Sequence, residues 1–372
     1  MNSERQATLM PGLGQRFFDQ GLALIFGFNH EEALRSFQRA AELDPECAMA
    51  WWGVALSVGP NYNDPEPDMN RAKMAWDAIQ KARSLAAHAT EPEHGYIEAL
   101  ATRYSNDPKP DLKQLGVFYK NAMSALSKRY PDDLDAATLY AESAMDLRPW
   151  QLWSADGKPA EGTEEIVATL ESVLKRNPNH IGANHFYIHA VEASQRPDRA
   201  LPSAGRLDKL APSAGHLVHM PAHIYIRTGD YHNAALNNEK AAEVDRQYIQ
   251  KFNVTGVYPA MYYSHNLHFL AIAAAMEGRL ADARKAAAQL VAHVAPLAKD
   301  MPMLEGFLPT EMLVLVRFHR WDDVLQQPGF EEFARTARAL WHFGRGMAYA
   351  AMRKFSEAEH ERQALFDAAA TV

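Results

Sequence analysis

Along residues 14–47, GQRFFDQGLALIFGFNHEEALRSFQRAAELDPEC, apolar and small residues return in steps of three and four, the spacing that keeps one helical face. With Gly14 as position 1, Phe17 falls at 4, Gly21 at 8, Leu24 at 11, Ala33 at 20, Phe37 at 24, Ala40 at 27 and Pro45 at 32. This predicts two antiparallel helices. Small residues let the axes approach to roughly 8–10 Å, and the proline ends the second helix. The register comes back along the chain. In 181–214, Ala200, Leu207 and Pro212 hold positions 20, 27 and 32; in 215–248, Tyr225, Gly229, Ala234 and Ala241 hold 11, 15, 20 and 27. From 264, Gly278, Ala283 and Leu290 hold 15, 20 and 27; from 339, Gly346, Tyr349 and Ala358 hold 8, 11 and 20. Looser units fill the remainder. The prediction is all-α: a tail over 1–13, then one solenoid over 14–372, without strands. Its units of about nine helix pairs lie near 14–47, 48–88, 91–131, 134–178, 181–214, 215–248, 264–296, 305–335 and 339–372.

Three segments, 59–70, 148–163 and 252–263, exceed ordinary connections, and loops of that length more often carry function. Trp150 and Trp153 in the second, and Tyr258, Tyr262 and Tyr263 in or beside the third, are candidates for covering a groove and contacting a small substrate.

The aromatic, small and proline positions of this period resemble the tetratricopeptide repeat (TPR) superfamily over nearly the whole chain. Phrases such as FNHEEALRSF, AWWGVALSVGPNYN and HLVHMPAHIYIR also resemble a group of functionally unassigned bacterial TPR proteins, which implies no activity. The superfamily resemblance implies a right-handed superhelical array. In it, positions 2, 5, 9 and 12 of each first helix line the concave face. On those positions fall His185, His189 and Glu192 in the unit from 181, His216, His219 and His223 in the unit from 215, and His265 and His268 in the unit from 264. The unit from 134 adds Asp135, Thr138 and Glu142, with Asp146 one position beyond. The first unit has Gln15, Phe18, Leu22 and Ile25 there instead, so the polar chemistry is expected in the middle of the array.

Two histidines at i and i+4 can chelate one ion from a single helix, and histidines from adjacent helices can share it. Imidazole-rich ligation points to one or two transition-metal ions, with zinc, copper or iron ahead of magnesium or calcium. His185, His189, His219 and His223 are the leading ligands, followed by His268. His216 and His265 are ligands or outer partners that orient them. Glu142 and Glu192 are candidates to ligate, to act as general base, or to form an ion pair, whereas Asp135 and Asp146 read as a solvated edge. His30 and His180 read as helix caps.

Composition narrows the classes further. The net charge of −8 with no basic cluster argues against a nucleic-acid partner. Cys47 is the single cysteine, which excludes an intrachain disulfide and suits a reducing compartment. No apolar run approaches the length of a membrane span, and MNSERQATLMPGLGQRFFDQ lacks a signal peptide's pattern, so a cytoplasmic location is expected. Dinucleotide, P-loop and nucleophile-elbow motifs are missing. Three readings follow: a metalloenzyme that activates water or oxygen toward a small molecule, a TPR adaptor holding a peptide or protein partner, and a metal store or sensor.

Overall fold

The computed structural model describes residues 12–372, so the predicted tail lies outside the described residues except for Gly12 and Leu13. The described helices follow one another in the predicted order. They are Leu13–Phe26 with His30–Leu43, Ala48–Val58 with Met69–Leu85, Glu91–Ala101 with Leu112–Arg129, and Leu134–Met145 with Thr163–Arg176. Next come Ile181–Val191 with Leu201–Leu210, and then Gly215–His219, Pro221–Thr228 and Tyr231–Phe252 in turn. The last three are Ser264–Met276 with Leu280–Val294, Thr310–Arg317 with Trp321–Gln326, and Arg335–Ala351 with Phe355–Ala369. Among the described residues there is no strand; single bridges, Asn61 to Asp64 and Trp153 to Pro159, brace the first two insertions.

Local chemistry sets the helix starts. Asn29, Asp111, Asp133 and Asp230 each accept a backbone N–H three residues on, which satisfies one of the orphan donors of the first turn. Thr90 and Glu93 close a reciprocal capping box. His30, read as a cap, follows the cap Asn29, and both its ring nitrogens are shut off from solvent without a hydrogen-bond partner among the described residues.

The chain divides into two compact units, Met1–Ile224 and Tyr225–Val372. In the first, helices pack on their neighbours in sequence, and Leu13–Phe26 also packs on Ile181–Val191, four pairs further along. Gly182 permits that contact, since a Cβ there would lie 2.5 Å from the Phe26 ring. All eleven residues of Ile181–Val191 are buried. The face expected to line an open groove is therefore enclosed at this helix, because Phe26 and Phe28 of the first pair fill the space before it.

Phe28 occupies repeat position 15, at the turn between the two helices, with φ +55°. The same position carries Gly229 (φ +83°) and Gly278 (φ +82°) in two other pairs, where glycine meets the left-handed backbone without steric cost. A phenylalanine there is strained by about 1–2 kcal/mol.

In the second unit the third insertion turns through the π-helix Tyr258–Tyr263. Buried Asp245 anchors it, accepting from Tyr258 Oη at 2.8 Å and from Asn266 Nδ2 at 2.7 Å.

Candidate metal centre

Helix Ile181–Val191 places His185 and His189 one turn apart on the same face, with ring centroids 4.9 Å apart. Helix Gly215–His219 brings His216 against them. One ring nitrogen from each of His185, His189 and His216 lies within 4.8 Å of the others, and all three residues are buried. The Nε2 atoms of His185 and His216 are 3.2 Å apart. Two imidazoles on one tetrahedral ion, at metal–nitrogen distances of about 2.0–2.1 Å, hold their nitrogens about 3.3 Å apart. The separation suits that arrangement as well as a hydrogen bond between the rings.

The outer partners of two of these rings are fixed. His185 Nδ1 donates to the Phe26 carbonyl at 2.6 Å, so its Nε2 carries the lone pair. His189 Nδ1 donates to Glu192 at 2.9 Å, and His223 Nδ1 donates to the other oxygen of the same carboxylate at 2.6 Å. That leaves His189 Nε2 buried without a hydrogen-bond partner among the described residues. Ligating histidines normally give the second nitrogen to a carboxylate or a carbonyl, which orients the ring and sets its tautomer.

Electrostatics favours neutral rings. Burial pushes His185 well below the usual histidine range, reinforced by the neighbouring His189, and burial likewise lowers His189. Burial works against ionisation of Glu192, but His223 and His189 outweigh it and hold the carboxyl well below the ordinary range.

Aromatic residues wall the cluster. The Phe28 ring is 4.5 Å from His185, 5.8 Å from His189 and 5.9 Å from His216. Tyr62, buried in the first insertion, packs 5.5 Å from His189. Its hydroxyl accepts from the Trp150 backbone N–H at 3.0 Å, so two insertions meet beside the histidines. Trp150 stands at φ +54° with its ring 5.5 Å from Tyr62. Trp153 Nε1 donates to the Ala190 carbonyl, fastening the second insertion to the histidine helix.

The other expected residues lie outside the triad, His223 beside it with its ring 5.5 Å from His189. His219 and His223 have ring centroids 4.8 Å apart, although Pro221 interrupts the helix between them. In the second unit, His268 packs on Phe307 and His265 on Phe269. There too Tyr258 is committed to Asp245, Tyr262 stacks on Tyr258, and Tyr263 meets His293 edge-on. Glu142 sits beside Asp146 and Arg103. Asp146, read as a solvated edge, is a buried partner of Arg103, and Asp135 meets His180, which caps its helix as expected through Nδ1. Phe28 and Tyr62 were not singled out from sequence. The signal for Phe28 was an aromatic residue at the turn position that other pairs give to glycine.

The described residues form an all-α array of paired helices, the architecture that the repeat register predicts, and none of the described helices is long and apolar enough to cross a membrane. No protein-family model matches it, and no curated protein matches it in sequence. Among solved structures it is similar to a human IFIT1 dimer with PPP-AAAA, at 14% identity and a TM-score of 0.48, over 96% of this chain and 74% of that one. It is also similar to the C-terminal part of a TPR repeat-containing protein from Cytophaga hutchinsonii, at 14% identity and a TM-score of 0.38, over 77% and 98%. The TPR domain of P58(IPK) is similar at 12% identity and a TM-score of 0.23, over 96% and 93%.

Proposed function

We propose that the first unit holds a transition-metal ion through His185, His189 and His216, and that the protein is a metalloenzyme acting on a small molecule beside it. The observation that carries this reading is the buried triad of imidazole nitrogens within 4.8 Å, two of whose rings have the other nitrogen held by Glu192 or the Phe26 carbonyl. Three imidazoles suit zinc, copper or iron and leave a coordination position open. The ion would supply Lewis acidity and the activation of a bound water.

The chain's own residues have separate tasks in this reading. Glu192 is a positioning residue, since both of its oxygens are taken by Nδ1–H groups. Phe28 and Tyr62 exclude water, and Trp150, largely exposed, stands where a substrate would enter. His219 and His223 are the candidates for a second ion. Burial of the histidines favours a small ligand over an extended peptide, which needs an accessible groove.

Elemental analysis of protein purified without a histidine tag tests the reading. About one zinc, copper or iron per chain is expected, with His185→Ala and His189→Ala each binding at least about ten-fold more weakly. Variants that keep parental helicity and parental metal content would overturn it.

A further inference from the structure

A second polar cluster in the first unit takes no part in the histidine site. Arg103, just beyond helix Glu91–Ala101, has a side chain only 3% exposed, and its Nη2 donates to Asp146 Oδ2 at 2.5 Å. The guanidinium lies 4.6 Å over the Tyr119 ring. Its Nε and Nη1 have no hydrogen-bond partner among the described residues, and neither does the buried Tyr119 hydroxyl, while the protonated Glu142 carboxyl donates to Asp146. A buried polar atom left without a partner costs about 1–3 kcal/mol, and more when charged. Three such atoms in one place are a heavy burden for a purely structural cluster.

Arg103 and Asp146 line a cavity of about 170 Å³ together with Pro60, Leu112 and Gly116, and with the exposed Glu66 and Lys113. The charges balance. Arg103 and Asp146 cancel, as do Lys113 and Glu66, and burial beside Asp146 keeps the Glu142 carboxyl protonated well above the ordinary range. An anion drawn to Arg103 would face Asp146, and a cation drawn to Asp146 would face Arg103. A ligand with no net charge that carries both kinds of group meets neither penalty.

We propose that this cavity binds a small zwitterion of the α-amino-acid type, its carboxylate accepting from Arg103 Nε or Nη1 and its ammonium donating to the Asp146 carboxylate. The site is independent of the metal reading. Full-length, chelator-treated protein would be titrated calorimetrically with glycine, L-alanine and L-serine, and with propionate, ethylamine and propionamide as half-ligands. At least one amino acid should bind 1:1, with each half-ligand at least about ten-fold weaker. Asp146→Asn should weaken binding by a similar factor. Leu112→Trp, which fills the cavity without touching the buried ion pair, should abolish it, and His189→Ala should leave it intact. Absence of amino-acid binding at millimolar concentration, a half-ligand that binds equally well, or binding that survives Leu112→Trp would each overturn the proposal.

Discussion

Glu192 shows how one side chain can decide the competence of several others. Its two oxygens hold the Nδ1–H groups of His189 and His223, so both rings turn the opposite nitrogen inward. Glutamine keeps the shape but sets an amide N–H against one imidazole N–H, and that ring must change tautomer. Glu192→Gln is expected to lower metal affinity about 10–100-fold with helicity unchanged, read by competition with a chromogenic chelator. His30 is the residue for a pH measurement. Burial, with Arg71 and Arg103 nearby, pushes it down to about 3 from an ordinary 6.5. Between those values the unfolded chain binds the extra proton, so His30's contribution is full above pH 6.5 and is lost as pH falls toward 3. Urea unfolding should show the parent losing about 1.4 kcal/mol per pH unit more than His30→Gln over this window. The raised carboxyl of Glu142 acts in the opposite sense, but in both proteins, and cancels in the difference.

Turns between paired helices are where this protein departs from an ordinary repeat. Five pairs share the left-handed residue at position 15: Phe28, Gly229, Gly278, His319 and Arg353. At exposed Arg353 the side chain adds little, so Arg353→Gly should be neutral or stabilising by up to about 1 kcal/mol. Phe28→Gly relieves the same strain but removes a ring packed on three histidines. It should destabilise by about 2–4 kcal/mol in urea unfolding and weaken metal binding. If both substitutions were neutral, the aromatic wall would have no part in holding the site. Pro221 acts on the same scale: it splits what reads as one helix into Gly215–His219 and Pro221–Thr228, so His219 and His223 meet across a break.

At the scale of the molecule, the histidines of the triad lie in the first compact unit, with an outer partner from its first helix and an aromatic wall to which the first insertion contributes Tyr62. An ion bound only by the folded state stabilises that unit, by about 2.7 kcal/mol at a hundred-fold excess over Kd. Hydrogen exchange with and without metal should therefore show added protection at residues 24–30, 181–192 and 215–219, and little change in the helix Phe355–Ala369. Uniform protection along the chain would argue against a local site.

The sequence alone determined the succession of paired helices, because small residues at close approaches and proline at helix ends act within one unit. It also determined that His185 and His189 share a face, which is the geometry of a single helical turn. The tertiary structure alone decided what those histidines face. The Phe26 carbonyl that fixes His185 is 159 residues away in the chain, and no period reports that contact. It brought His216, open between ligand and outer partner in the sequence, against His185 and His189. It placed Glu142, in register with His189, beside a buried arginine from another pair. Repeat position tells which way a side chain points, while the closing of the first pair onto the fifth tells what it meets, and that closure depends on packing between elements far apart in sequence.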